Sequence, residues 1–79
     1  MTDTADNYLR DLGFLLRERA FEAKASFHAA DKESRGFESG RYMAYYEVLA
    51  LMLSQAQAFD LPLSMLALDG VDAERDLIG

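Results

Sequence analysis

Residues 42–59 read YMAYYEVLALMLSQAQAF, and the fold depends on how so apolar a run is to be covered. Its only charge is Glu47, and it holds neither glycine nor proline. β-Branched residues are scarce along the whole chain, and Pro62 is the single proline. That composition favours helix over sheet. On a helix turning about 100° per residue, Phe37, Ala44, Tyr45, Val48, Leu51, Met52, Ala56 and Phe59 share one face. Tyr42, Tyr46, Leu49 and Leu53 widen it past half the circumference, leaving Glu47, Ser54 and Gln57 on a narrow wet side. A helix from 36 to 59, starting near Ser34 or Ser39, therefore needs more than one neighbour.

Upstream, Leu9, Leu12, Leu16, Ala20, Ala23, Phe27 and Ala30 recur every three or four residues and fall within an arc of about 80°. They predict a helix over 6–30, capped by Thr4 or Asp6, with Asp11 early enough to suit the helix dipole. Phe14 and Phe21 lie about 120–140° from that stripe, with Ala25 and His28 nearby. Large aromatics on a polar flank call for cover from a third segment or from another chain. Downstream, Asp60-Leu61-Pro62 ends the second helix and starts a short one, with Asp60 or Leu61 as the cap. Leu63, Met65, Leu66 and Leu68 are placed to pack over both helices. Asp69-Gly70 signals a turn, and Asp72 a cap for a last turn over Ala73 to Leu77. The fold class expected is all-α: one domain over 1–79, two long antiparallel helices and a short C-terminal helical segment in a small bundle.

A 79-residue chain forms a thin core. Domains of this size usually gain a disulfide, a metal or a second subunit. There is no cysteine, and His28 is the only histidine. Self-association or docking on a partner is what remains. No stretch approaches the roughly 20 apolar residues that span a bilayer. No N-terminal segment joins basic residues to an apolar core, so a cytoplasmic location is expected.

The net charge is −6. Residues 1–35 hold seven acids against six bases; residues 36–79 hold seven acids against Arg41 and Arg75. Such a surface repels phosphate backbones and anionic membranes, and suits a basic partner. No direct nucleic-acid, membrane or small-molecule ligand is expected. Glu18 and Glu22 share a helical face but lack the Glu-x-x-His pairs of carboxylate metal sites, and read as a solvated row pairing Arg17, Arg19 or Lys24. Asp69, Asp72, Glu74 and Asp76 lack the order of a calcium loop. No serine stands in a nucleophile context. No metal, cofactor or catalytic residue is assigned, and enzymatic activity is not expected.

Within the second helix, Arg41, Tyr42, Tyr45 and Tyr46 form a contiguous patch of the residue types that anchor interfaces, or the rim of an internal core. Gly40 there costs nearly 1 kcal/mol against alanine and points to close backbone packing or a helix boundary. The candidate partner-binding residues are Phe14, Phe21, Arg41, Tyr42, Tyr45, Tyr46, Asp69, Asp72, Glu74 and Asp76.

The stretch Gly36-Phe37-Glu38-Ser39-Gly40-Arg41-Tyr42-Met43-Ala44-Tyr45-Tyr46-Glu47-Val48-Leu49, with Leu61-Pro62-Leu63 and Asp69-Gly70-Val71-Asp72, resembles small acidic helical proteins of proteobacterial phages and integrative elements. That setting includes anti-CRISPR-type inhibitors. The resemblance runs from about residue 35 onward and includes no catalytic motif. It implies an accessory or inhibitory binder whose target is a basic nucleic-acid-handling protein, because carboxylates can occupy sites meant for phosphates. Two functions are therefore carried forward: a self-associating, accessory or regulatory protein-binding module working as a homodimer or on a heterologous partner, and an acidic inhibitor.

Overall fold

The computed structural model describes residues 2–78, with side chains from Asp3 to Leu77. Helix α1 spans Thr2–Ala29 and α2 spans Arg35–Ala58. A 3-10 turn follows at Leu63–Leu66, and a single π turn at Glu74–Ile78. The expected all-α bundle is the fold, with no strand among the described residues. Helix α1 begins earlier than its sequence suggested, so Thr4 and Asp6 sit inside its first turns and cap nothing. Asp3 supplies the negative charge that the first turn's free N–H groups favour.

The hairpin between the helices is fixed by Asp31. Its Oδ1 accepts the Ser34 N–H at 2.9 Å and the Ser34 hydroxyl at 2.8 Å. These two donors stabilise the charged form and hold the Asp31 pKa below its ordinary value. Ser34 is the N-cap residue of α2, but its hydroxyl points back to Asp31 instead of capping the helix.

Helix α2 closes with a pair of bonds that also turn the chain. Leu61 N–H reaches Ala56 C=O at 2.8 Å, Asp60 N–H reaches Gln57 C=O at 3.1 Å, and Asp60 takes a left-handed φ of 58°. This is a Schellman end with aspartate where glycine is usual. The same motif recurs one turn later. Leu68 N–H bonds Leu63 C=O at 3.0 Å, Ala67 N–H bonds Ser64 C=O at 3.2 Å, and Ala67 has φ 56°. Between them Pro62, and not Asp60 or Leu61, is the N-cap of the 3-10 turn; its extended ψ of 137° redirects the chain. Gly70, at φ 81°, makes the expected Asp69-Gly70 turn.

The core differs from expectation in where its residues come from. Among the described residues nine hydrophobic ones are buried, and five of them, Leu66, Leu68, Val71, Ala73 and Leu77, belong to the C-terminal segment. Helix α1 contributes Ala20 and Ala23, and α2 contributes Leu49 and Ala56. The segment docks on the Gly13–Arg17–Phe21–Lys24 flank of α1, which turns the buried stripe toward Phe21 and away from Leu12. Leu12, expected in the core, is exposed, whereas Phe21 packs against the core. Gly13 is where the two backbones meet. A Cβ there would lie 1.8 Å from the Leu66 carbonyl oxygen. Gly40, the glycine singled out from the sequence, has no atom near its missing side chain and lies well inside α2.

Because the C-terminal segment is largely irregular, its carbonyls need other donors. Arg17 Nη1 donates to Ala67 C=O at 3.1 Å, and Lys24 Nζ donates to Asp76 C=O at 2.7 Å. The Tyr42 hydroxyl donates to Leu77 C=O. Arg17 and Lys24, two of the three bases expected to pair with Glu18 and Glu22, thus serve the backbone instead.

Candidate protein-binding faces

The residues nominated from sequence divide into those used internally and those left free. Tyr42 is internal: its ring lies 5.2 Å from that of Phe27 and its hydroxyl is taken by Leu77. Tyr45, Tyr46 and Phe21 pack, half-buried, against the core. Arg41 lies 5.8 Å from the Tyr45 ring centre, within cation–π reach, and 3.9 Å from Glu38, a loose ion pair. The tyrosine patch is therefore mainly the rim of the core. Phe14 stays 46% exposed, with Ala67 beside it on the C-terminal segment.

The C-terminal acids are mostly consumed by local structure. Asp72 Oδ1 accepts the Arg75 N–H at 3.0 Å, as expected of a cap, and Asp76 Oδ2 accepts the Asp72 N–H at 2.8 Å. Arg75 clasps Asp76 through Nε and Nη2 and also donates to Gly70 C=O. The Arg75 bond first, and the Asp72 N–H second, pull the Asp76 pKa down to about 2. Asp69 and Glu74 remain exposed with no recorded partner, too few to make a charged surface alone.

Two apolar faces emerge that were not read as sites. The first is the outward side of α2. Phe37 is 73% exposed, Leu51 62% and Val48 38%, and Ala44 lies exposed between them. All four were expected in the core. They miss it because the core packs against Tyr45, Leu49, Met52 and Ala56, about 100° further round the helix. Beyond the end of this face, Phe59 and Leu61 border an apolar cleft of about 200 Å³, closed below by Leu9, Met52 and Leu66. The second face is a ridge on α1 formed by Tyr8, Leu12 and Leu15, all exposed. Asp11, Glu18 and Glu22 run beside it, exposed and without a recorded partner. The signal for both was present as hydrophobic residues in excess of one core stripe, but nothing in the sequence says which stripe stays open.

Among the described residues, no group of three or more acidic, histidine or cysteine side chains could hold a metal ion. None of the described helices is long and apolar enough to cross a membrane. The chain matches no known protein family, no characterised protein and no solved structure.

Proposed function

We propose that this chain is a small acidic protein-binding module, an accessory or regulatory binder that works through its apolar faces. One observation carries the reading. Among the described side chains, ten large hydrophobic ones are exposed, whereas only Leu49, Leu68 and Leu77 are both large and fully buried. Scattered exposed leucines are ordinary, but contiguous apolar patches on small proteins mark contact surfaces. The test places a photo-crosslinking residue at position 15 or 51 and, as a control, at exposed Lys32 in the hairpin. Crosslinks to protein are expected from the two apolar positions and not from the control. Equal labelling at all three, or none, would sink the reading.

The second reading is an acidic inhibitor of a basic nucleic-acid-handling protein, resting on the acids of α1 more than on those of the C-terminal turn. Asp72 and Asp76 are engaged within their own turn. Asp11, Glu18 and Glu22 are free, and they flank the Tyr8–Leu12–Leu15 ridge. An apolar ridge edged with carboxylates suits an amphipathic basic surface. Here the crosslink from position 15 should fade as salt rises and fail in a Glu18→Gln/Glu22→Gln double variant, because exposed charge pairs are screened within about 10 Å. A crosslink indifferent to both changes would leave this reading without support.

A further inference from the structure

We propose that the outward face of α2 recognises a second copy of the same chain, the two helices lying antiparallel. The inference rests on the reading of the chain as a protein-binding module and names one occupant for one face.

The spacing of the face is the first ground. Phe37, Arg41, Ala44, Val48, Leu51, Gln55 and Ala58 alternate four and three residues apart. That is the seam of a two-helix coiled coil, on which side chains interlock with those of a facing helix. Apart from half-buried Arg41, every one of them is exposed. The small Ala44 and Ala58 permit a close approach. The seam centres about 100° round α2 from Leu49 and Ala56, so both buried residues can keep their packing when it is used.

Charge selects the occupant. Each copy carries −6, so two copies repel wherever acids face each other. Twelve of the fourteen acids lie outside α2; within it are only Glu38 and Glu47, and none follows until Asp60. A basic partner would gain nothing from this seam, whose one charge is Arg41, whereas a like-charged copy can approach here with the least repulsion. Charge also sets the direction. A parallel pair would set Arg41 against the other Arg41. An antiparallel pair sets each Arg41 near the last turn of the other α2, where the negative end of the helix dipole and Asp60 favour a cation.

Area agrees. The chain exposes 5462 Å² and has a mass of 8.9 kDa. A compact monomer of that mass exposes roughly 4,800 Å². The excess of roughly 650 Å² approaches the roughly 800 Å² that each partner buries in a standard interface. Helix α2, 24 residues long, offers a seam about 36 Å in length on which to bury it.

The experiment is solution mass across a dilution series of the full chain, with single-cysteine variants made possible by the absence of native cysteine. The wild type is expected at twice 8.9 kDa, falling to the monomer on dilution. Leu51→Glu is expected to stay monomeric with its helical circular dichroism unchanged, and Leu15→Glu to pair as the wild type does. Ala44→Cys mixed with Gln55→Cys, both of which keep Arg41, should form a disulfide, while Ala44→Cys alone should not. A dimer that survives Leu51→Glu overturns the seam. Disulfides in Ala44→Cys alone overturn the antiparallel arrangement. A wild type that is monomeric when concentrated overturns self-pairing. Should a crosslinker at position 51 still capture another protein in that case, the binding reading stands and only the occupant was wrong.

Discussion

Helix α2 has two apolar faces, and they meet opposite fates. The inward one, with Tyr45, Leu49, Met52 and Ala56, is closed by α1 and by the C-terminal leucines. The outward one, with Phe37, Ala44, Val48 and Leu51, stays exposed. Their residue types are nearly interchangeable, so hydrophobicity alone did not choose between them. The choice was made by a contact on another helix, where Gly13 lets the C-terminal backbone approach α1 and commits the third segment to one side. A core is thus defined by what can be brought near an apolar face as well as by how apolar it is.

The sharpest way to break this contrast is Gly13→Ala. Its methyl group would occupy the position of the Leu66 carbonyl, and backbone on both sides leaves little room to yield. A loss of about 3 kcal/mol or more is expected in urea unfolding, at the upper end for overpacking. In a domain this small that lowers the melting temperature by on the order of 15 °C. Increased dye binding should accompany it, because the inward face would then be as open as the outward one. Near-native stability would show that the segment docks elsewhere.

Leu49→Ala and Leu51→Ala test the two faces directly. Leu49 is fully buried, so its truncation should cost about 2–5 kcal/mol. Leu51→Ala, measured at concentrations where the chain is monomeric, should change stability by less than about 0.5 kcal/mol. Equal losses would erase the distinction between the faces.

A smaller effect of opposite sign is expected at Ala67, whose φ of 56° disfavours a Cβ. Ala67→Gly should stabilise the docked segment by about 0.5–1 kcal/mol in the same assay. Asp60→Gly should gain less, since aspartate tolerates the left-handed region better. A loss at Ala67 would mean that its methyl contact with the Phe14 flank outweighs the strain.

The smallest effect concerns the terminal turn. The folded-state pKa of Asp76 is depressed from 3.8 to about 2, so its stabilisation is complete above 3.8 and is lost as pH falls toward 2. Nuclear magnetic resonance should show the Asp72 and Leu77 amide signals shifting over that interval. Asp76→Asn should remove that acid transition, and its persistence in the variant would assign it to another carboxylate.

Much of this fold is legible in the residues. The three-and-four spacing of Leu9, Leu16, Ala20, Ala23 and Phe27 marks α1, and Asp69-Gly70 and Asp72 mark the last turns. Less legible was the supply of the core. Leu66 ends a 3-10 turn, Leu68 and Val71 lie in irregular backbone, and Ala73 and Leu77 lie at and within the last π turn, so no single period labels an inward side. Gly13 gave only the weak signal of a glycine within a helix; Gly40 gave the same signal and has no packing role. The binding faces were harder still, because Val48 and Leu51 carry the periodicity of core residues.

By itself, the sequence determined two amphipathic helices, the break between them and the Asp69-Gly70 turn, since these follow from local geometry and from the spacing of apolar side chains. It also determined an excess of apolar surface over what one thin core can hide. Only the tertiary structure decided where that excess falls. One close backbone contact at Gly13, three side-chain bonds to C-terminal carbonyls and two left-handed residues aim the last segment at one side of the hairpin. These are contacts between residues far apart in the chain, and no local pattern encodes them.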